Sequence, residues 1–237
     1  MQTNIHVAII AFPGMLQMDA TGPYGVFAAA PGAVVDLLWK NTAPLVSSDK
    51  LIVTPTLSFA ACPQLDVLCM PGGVGIAELL EDPEIHAFLR QQAEGARYVC
   101  SVCTGALVLG AAGLLRGYKA TTHWQSWEML AECGAIPVRE RVVLDRNRIT
   151  AAGVSAGIDM ALTLVGELWG AGVARDIELG MEYDPKPPFR SGSPFIAPRD
   201  VVERMHMKNA ARQRSRLEAV RRAAGKFLHT PASSLGV

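Results

Sequence analysis

Runs of hydrophobic residues recur along the chain at two lengths, which predict alternating strands and helices. Three short runs are almost wholly apolar, namely Ile5 to Phe12 (IHVAIIAF), Leu65 to Met70 (LDVLCM) and Arg97 to Val102 (RYVCSV). Runs of this length without polar alternation are typical of strands that are buried on both faces. Stretches with helical spacing lie between them. The pattern therefore predicts an α/β fold whose mainly parallel sheet is covered on both faces.

Weaker patterns predict the remaining elements. Val34 to Trp39 has the composition of a strand, and Leu51 to Phe59 that of a hairpin or an edge piece because it contains Pro55. RVVLD and RITAAG, joined by Arg146-Asn147, predict a β-hairpin. Helices are predicted through Gly25 to Ala30, at Pro83 to Ala93, at Thr104 to Leu115, at Ser155 to Gly170 with Ser155 as the N-cap, at Val173 to Tyr183 and at Arg199 to Phe227.

The last of these helices differs from the others in its charge. Between Arg199 and His229 the chain has nine Lys or Arg against three acidic residues. An apolar stripe follows helical spacing along it, at Leu217, Val220, Ala224 and Phe227. We expect a solvated helix whose stripe packs on the domain or on another subunit. The sequence is therefore divided into an α/β domain over residues 1–195 and a basic C-terminal helix and tail over residues 196–237.

Composition narrows the class of protein. Half of the 237 residues are hydrophobic, enough for a substantial core. The 22 basic and 22 acidic residues cancel, so no overall charge favours nucleic acid or a membrane surface as a partner. No apolar run reaches the roughly 18 residues of a membrane span. Five cysteines, an odd number without a recognisable signal peptide, do not suggest a secreted disulfide framework, and we expect a cytoplasmic protein.

Three candidate segments follow predicted parallel strands. Asp19 comes after the first strand, Gly72 and Gly73 after LDVLCM, and Cys103 after RYVCSV. Sites in open α/β sheets form where the carboxyl ends of the strands meet. We therefore expect these residues to converge on one site.

Cys103 is the candidate nucleophile. It would occupy a strand-to-helix turn, a nucleophile elbow, where the helix start lowers the pKa of a thiol and where Gly105 and Ala106 leave room for a substrate. Cys100 lies inside the predicted strand, and we interpret it as a buried, inert thiol. Dithiol chemistry and half of a zinc site are the alternatives for this CxxC pair, and no second close Cys or His pair completes a tetrahedral zinc site.

Each of the other candidate site residues has two interpretations. Asp19 either caps the following helix or holds a carboxyl with a raised pKa against the Cys103 sulfur. Gly72 and Gly73 are either turn glycines or donors of amides to a developing negative charge. His123, in KATTHWQSW, is either a structural hydrogen-bonding group or a base. The neighbouring tryptophans, Trp124 and Trp127, are interpreted as core or pocket wall.

Several segments together resemble the ThiJ/PfpI superfamily, which is class I glutamine amidotransferase-like, and within it the isonitrile (isocyanide) hydratases. The segments are FPGMLQMDATGPYGVF, LDVLCMPGG, SVCTGALVLGAAGLL, KATTHW, SAGIDMALTL and EYDPKPPFRSGSP. The resemblance spans roughly Ile5 to Pro194. It implies a flavodoxin-like, three-layer α/β sandwich with a nucleophile elbow, to which this chain adds a C-terminal helix, and it implies a homodimer.

The resemblance also implies roles for individual residues. The family's nucleophile corresponds to Cys103, its acidic partner to Asp19, and its assisting hydroxyl to Thr104. The amides of its PGG segment correspond to Gly72 and Gly73. The superfamily's proteases have a histidine directly after the cysteine, where this sequence has Thr104, which argues against peptidase activity.

The activity implied is the addition of water to a small organic isonitrile, R–N≡C, which gives an N-substituted formamide through a cysteine thioimidate. Neither a metal nor an organic cofactor is expected. Two alternatives remain open. One is a ligand-sensing domain related to AraC-type transcription regulators. Those regulators continue into two helix-turn-helix units, and the roughly forty residues after Pro194 are too few to form them. The other is glyoxalase-like chemistry on small dicarbonyls.

Overall fold

The structure of the protein is a computed structural model that describes residues 4–228, with side chains described as far as residue 225. The strands are β1 (Ile5–Ile10), β2 (Ala33–Trp39), β3 (Leu45–Val46), β4 (Ile52–Val53), β5 (Leu57–Ser58), β6 (Val67–Met70), β7 (Tyr98–Val102), β8 (Lys119–Ala120), β9 (Ile136–Pro137), β10 (Val142–Asp145) and β11 (Arg148–Ala151). The helices are α1 (Gln17–Ala28), α2 (Ile76–Leu79), α3 (Pro83–Gly95), α4 (Gly105–Ala111), α5 (Met129–Glu132), α6 (Ala156–Trp169), α7 (Ala171–Gly180) and α8 (Arg199–Leu228).

A seven-stranded sheet in the order β10-β11-β7-β6-β1-β2-β5 forms the centre of the fold. Its strands are parallel except for β10, which pairs with β11 in antiparallel register at one edge. The chain passes from β1 to β2 on one side and then returns to β6 on the other side of β1. The β1/β6 boundary is therefore a topological switch point, where crevices for ligands form at the carboxyl ends of the strands.

Helices cover both faces of this sheet. On one face α1 packs against α6, and α6 against α7; on the other, α4 contacts α3, α5 and α8. The three-layer α/β architecture predicted from the sequence is thereby confirmed. Close packing on the first face depends on Gly157, where an added Cβ would lie 3.1 Å from Pro23 of α1 and from Val102 of β7.

Individual elements match the predictions with a few corrections. The hairpin at Arg146-Asn147 is confirmed, and Arg146 has the positive φ of 55° that such a tight turn uses. The predicted helix from Thr104 to Leu115 ends early, at Ala111, because Gly113 turns the backbone to a φ of 83°. Ser155 precedes α6 as predicted, but its side chain makes no capping bond and accepts instead from Arg141 at 3.2 Å.

The basic helix α8 packs on its own domain. Ala219, Val220 and Ala223 belong to the main hydrophobic core. Two ion pairs add to this contact, Arg221 with Glu132 at 2.8 Å and Arg222 with Glu81 at 3.0 Å. The predicted stripe residue Phe227 has no described side chain, and His229 and the rest of the tail lie outside the described residues. None of the helices between residues 4 and 228 combines the length and apolar content needed to span a bilayer.

Gly105 tests how tightly the first turn of α4 is seated on the sheet. An added Cβ there would lie 2.0 Å from the Met70 carbonyl oxygen, so Gly105→Ala forces the end of β6 away from α4. We expect this substitution to lower the free energy of unfolding by about 1–3 kcal/mol or more, as overpacking does. Urea unfolding followed by circular dichroism measures the change.

Gly172→Ala is the matched control, because its added Cβ in α7 meets no atom within 4 Å. Alanine favours a helix over glycine, so this variant is expected to gain up to about 1 kcal/mol. Equal stability of the two alanine variants would contradict the packing argument for Gly105.

Candidate active site

Cys103 occupies a strained turn between β7 and α4. Its φ of 56° lies in the left-handed region, which residues other than glycine seldom adopt. Two hydrogen bonds hold the turn in place: the Cys103 amide donates to the Ala151 carbonyl at 3.0 Å, and the Thr122 hydroxyl donates to the Cys103 carbonyl at 2.7 Å. The predicted elbow is present, and β11 and the loop after β8 fix its direction.

The small residue after the elbow has a different role from the one predicted. Gly105 was expected to leave room for a substrate. The structure shows that it lets the elbow touch the backbone at the end of β6, at the Met70 and Pro71 carbonyls. This contact brings the ends of two neighbouring strands together, and the substrate space lies elsewhere.

Asp19 is buried inside α1 and faces the elbow. Leu16 occupies the N-cap position of this helix, so the interpretation of Asp19 as a cap is wrong. Its carboxyl oxygen Oδ2 accepts a hydrogen bond of 3.0 Å from the Gly72 amide. The other oxygen, Oδ1, is buried and has no close hydrogen-bond partner within residues 4–225.

The pKa values of Asp19 and Cys103 are both raised. Burial raises the pKa of Asp19 to about 7, although the Gly72 amide and the Cys103 thiol lower it in part. Burial and the neighbouring Asp19 carboxylate raise the pKa of Cys103, against smaller opposing effects of Thr104 and Arg216. The predicted low pKa of the Cys103 thiol is therefore wrong, because burial outweighs the helix start. Near neutral pH the pair holds one or two protons.

Gly72 and Gly73 lie in the loop after β6, and their backbone contacts Asp19 of α1 and Thr104 at the elbow. An added Cβ at Gly72 would lie 2.6 Å from the Thr104 nitrogen and 2.9 Å from Asp19 Oδ2. The Gly73 amide donates to the Thr104 hydroxyl oxygen at 3.2 Å. Both amides thus have acceptors within the protein, and they position Asp19 and Thr104. The Thr104 hydroxyl is also close enough to Cys103 to lower the pKa of that thiol in part.

His123 lies at the edge of the same cavity as an uncharged group. Burial, with the positive charge of Arg216, lowers the pKa of His123 to about 4. Its Nδ1 accepts from the Gln125 amide at 3.4 Å, so the ring proton is on Nε2. This state suits a hydrogen-bond donor to a ligand better than a base.

Cys100 does not share the environment of Cys103. It lies fully buried in β7, opposite Cys69 of β6 in the sheet register. Burial and the Cys69 thiol raise the pKa of Cys100 well above the ordinary value. The interpretation of Cys100 as a buried thiol is confirmed.

A cavity of about 360 Å³ opens above Cys103, and α8 forms much of its wall. Residues of α8 in that wall include Met205, Lys208, Asn209, Arg212, Gln213 and Arg216. Asn209 donates to Gln125 at 2.9 Å, and buried Arg216 donates to the Ser126 hydroxyl at 3.2 Å. Sequence reasoning missed this contribution of α8. The available signal was the four-residue spacing of Lys208, Arg212 and Arg216.

A second cavity of about 510 Å³ lies on the other side of His123. Trp124 and Trp127 line it, which confirms their interpretation as pocket wall, and Trp127 stacks on Phe195 at 5.6 Å. Cys103 does not line this cavity.

Comparisons with known proteins show which family this chain resembles. The DJ-1/PfpI family matches residues 5–167. An isonitrile hydratase from Pseudomonas putida is 50% identical over 94% of this chain and 98% of its own length. A crystal structure of a ThiJ/PfpI family protein from Pseudomonas syringae superposes with a TM-score of 0.89 at 42% identity, covering 94% of this chain and 91% of that protein.

A regulator also shares part of this sequence. The HTH-type transcriptional regulator GbdR from Pseudomonas aeruginosa is 36% identical over 52% of this chain, and the match covers 34% of the regulator. The longer matches to the hydratase and to the ThiJ/PfpI structure take in α8 as well as the sheet. From the family match and these relatives together, the chain belongs to the DJ-1/PfpI family.

Proposed function

We propose that this protein hydrates small organic isonitriles to N-substituted formamides, with Cys103 as the nucleophile. The observation that carries the proposal is the buried Asp19 carboxyl, which the Gly72 amide holds beside Cys103. Cys103 in turn lines the 360 Å³ cavity. The 50% identity to an isonitrile hydratase over nearly the whole chain supports the choice of substrate class.

In the first half-reaction, Asp19 moves one proton from sulfur to carbon. The Asp19 carboxylate takes the Cys103 proton, and the thiolate attacks the terminal carbon of R–N≡C. The neutral Asp19 then delivers that proton to the same carbon, which gives a thioimidate, R–N=CH–S, and avoids a free carbanion. A carboxyl with a pKa of about 7 suits both transfers near neutral pH.

In the second half-reaction, water adds to the thioimidate carbon. Asp19 accepts a proton from the water and passes it to the nitrogen, so the adduct is R–NH–CH(OH)–S. The hydroxyl proton then returns to Asp19 as the C=O bond forms and the C–S bond breaks. The products are the formamide and the Cys103 thiolate with neutral Asp19, which has the same charge as the starting pair.

The remaining residues have supporting roles in this proposal. Thr104 donates to the sulfur and stabilises the thiolate as attacking and leaving group. Gly72 positions Asp19, while Gly73 positions Thr104 and lines the cavity. His123 donates a hydrogen bond to bound substrate from Nε2. The reaction consumes only water, so no metal or organic cofactor is invoked.

We also propose a cytoplasmic homodimer. All five cysteines are free thiols, which fits a reducing compartment. Exposed apolar side chains for a subunit contact include Leu179 and Phe189. Light scattering after size-exclusion chromatography is expected to give twice the 25.3 kDa chain mass. A monomer mass at micromolar concentration would contradict the dimer.

The activity is tested with purified protein and a neutral aryl isonitrile, with formamide measured by chromatography. We expect Cys103→Ala to lower the rate at least about 10³-fold, since the nucleophile is lost. Asp19→Asn is expected to lower it roughly 10²- to 10⁴-fold, as loss of a general acid and base does. Cys100→Ala is the matched control and is expected to retain activity.

Two results would contradict the proposal in different ways. Absence of formamide from the unmodified protein with several isonitriles would overturn the activity, and methylglyoxal turnover in the same preparation would indicate dicarbonyl chemistry instead. Formamide production by Cys103→Ala would leave the activity in place and overturn the covalent mechanism.

The pH dependence follows from the raised pKa of Asp19. Below about pH 7 both Asp19 and Cys103 hold protons, and no anion is available for the attack. Above about pH 7 the pair of Asp19 and Cys103 has lost one proton. This singly deprotonated pair is the reactive state, whether the charge is on oxygen or on sulfur. We expect kcat/KM to rise with pH through an apparent pKa of about 7 and then to level off, because the pKa of Cys103 is raised further.

Initial rates between pH 5 and 9 measure this profile. Asp19→Asn is expected to lose the inflection near pH 7 in its residual activity. A profile that is flat across this range in the unmodified protein would contradict the assignment of Asp19 as the titrating group.

A further inference from the structure

Three cations on α8 form one line along the wall of the active-site cavity. They are Lys208, Arg212 and Arg216, here named the basic strip, and all three line the cavity that contains Cys103. Residues four apart lie on one helix face, with a rise of about 6 Å between them. Arg216 is buried near Cys103, whereas Arg212 and Lys208 are exposed toward the mouth. The strip thus runs from the reacting sulfur to the solvent.

The charge of the basic strip is not balanced by acids in the cavity wall. Among the described residues that line the cavity, none is acidic. The ion pairs that α8 does make use other arginines, namely Arg199, Arg204, Arg221 and Arg222. The described partners of Arg216 are neutral, the Ser126 hydroxyl and the Gln213 amide oxygen.

A buried cation without a counterion is costly, and an anion placed beside it removes much of that cost. The Cys103 thiolate supplies such an anion to Arg216 during the reaction. Arg212 and Lys208 lie about 6 and 12 Å farther along the helix axis. Their natural counterion is therefore a group on the substrate, a short distance from the reacting carbon.

We propose that the basic strip selects isonitriles whose R group carries a small anionic group, such as a carboxylate. The inference rests on the proposed function and specifies its substrate class. With the isonitrile carbon at Cys103, the R group extends along α8 toward the mouth of the cavity. Arg212 then binds the carboxylate, and Lys208 attracts it at the entrance.

The test compares two isonitriles that differ only in charge, isocyanoacetate and its methyl ester. Both place the carbonyl carbon at the same distance from the isonitrile, and their products are N-formylglycine and its methyl ester. We expect kcat/KM to be at least about tenfold higher for the anion, the effect of one charge-assisted hydrogen bond. Added salt is expected to reduce this ratio, because Lys208 and Arg212 are exposed.

We expect two substitutions in the basic strip to lower the ratio of kcat/KM between the anion and the ester. Arg212→Gln is expected to lower it by about tenfold, and Lys208→Gln by less. Arg214→Gln is the matched control, since it removes one exposed positive charge from the same helix outside the cavity wall. We expect it to leave the ratio unchanged. Arg216 is kept because it also supports Ser126.

The outcomes separate this inference from the proposed function. Two results overturn the inference alone. One is hydration of the ester with no preference for the carboxylate. The other is a ratio of kcat/KM between anion and ester that Arg212→Gln and Lys208→Gln leave unchanged. A fall in the ratio with Arg214→Gln as large as that with Arg212→Gln also overturns it, since only overall charge would then matter. Hydration of neither compound, nor of the aryl isonitrile, overturns the proposed function and the inference with it.

Discussion

The hydrogen bond from the Gly72 amide to Asp19 Oδ2 connects the loop after β6 with helix α1, and the arrangement of the site depends on it. It forms only because β6 and α1 approach closely, which a side chain at residue 72 would prevent. In the same loop, the Gly73 amide donates to the Thr104 hydroxyl, which follows the elbow at the end of β7. The Asp19 carboxyl and the Thr104 hydroxyl, from distant parts of the chain, are thereby fixed by backbone donors, which do not change rotamer.

Burial sets the chemistry of this arrangement. Asp19 and Cys103 are both buried, so each group resists ionisation, and the pair releases its first proton near neutral pH. Arg216 partly opposes this effect from the far wall. The sheet therefore supplies the reacting groups, while α8 supplies the electrostatic environment on the opposite side of the cavity. Two regions that composition separates, one net acidic and one basic, act on the same few atoms.

Much of this organisation could be predicted from the sequence, because local patterns determine it. Uninterrupted apolar runs indicate buried parallel strands, and their ends indicate where Asp19, Gly72 and Cys103 converge. The low thiol pKa was wrong because it was inferred from the helix start alone, and the degree of burial depends on residues far away in sequence. The role of Arg216 escaped prediction for the same reason: the four-residue spacing of Lys208, Arg212 and Arg216 places them on one helix face, but it does not show that this face meets a cavity.

The position of α8 also has a consequence for thermal behaviour. Its C-terminal half is anchored by Val220 and its neighbours in the core, whereas its N-terminal half is held by polar contacts such as those of Asn209 with Gln125 and of Gln213 with Ser126. Segments held by few apolar contacts open locally at a lower free energy than the whole domain. One wall of the cavity therefore belongs to a less stable cooperative unit than the sheet that bears the thiol. We therefore expect activity on heating to be lost through local opening of this half of α8, at a temperature below the melting of the sheet.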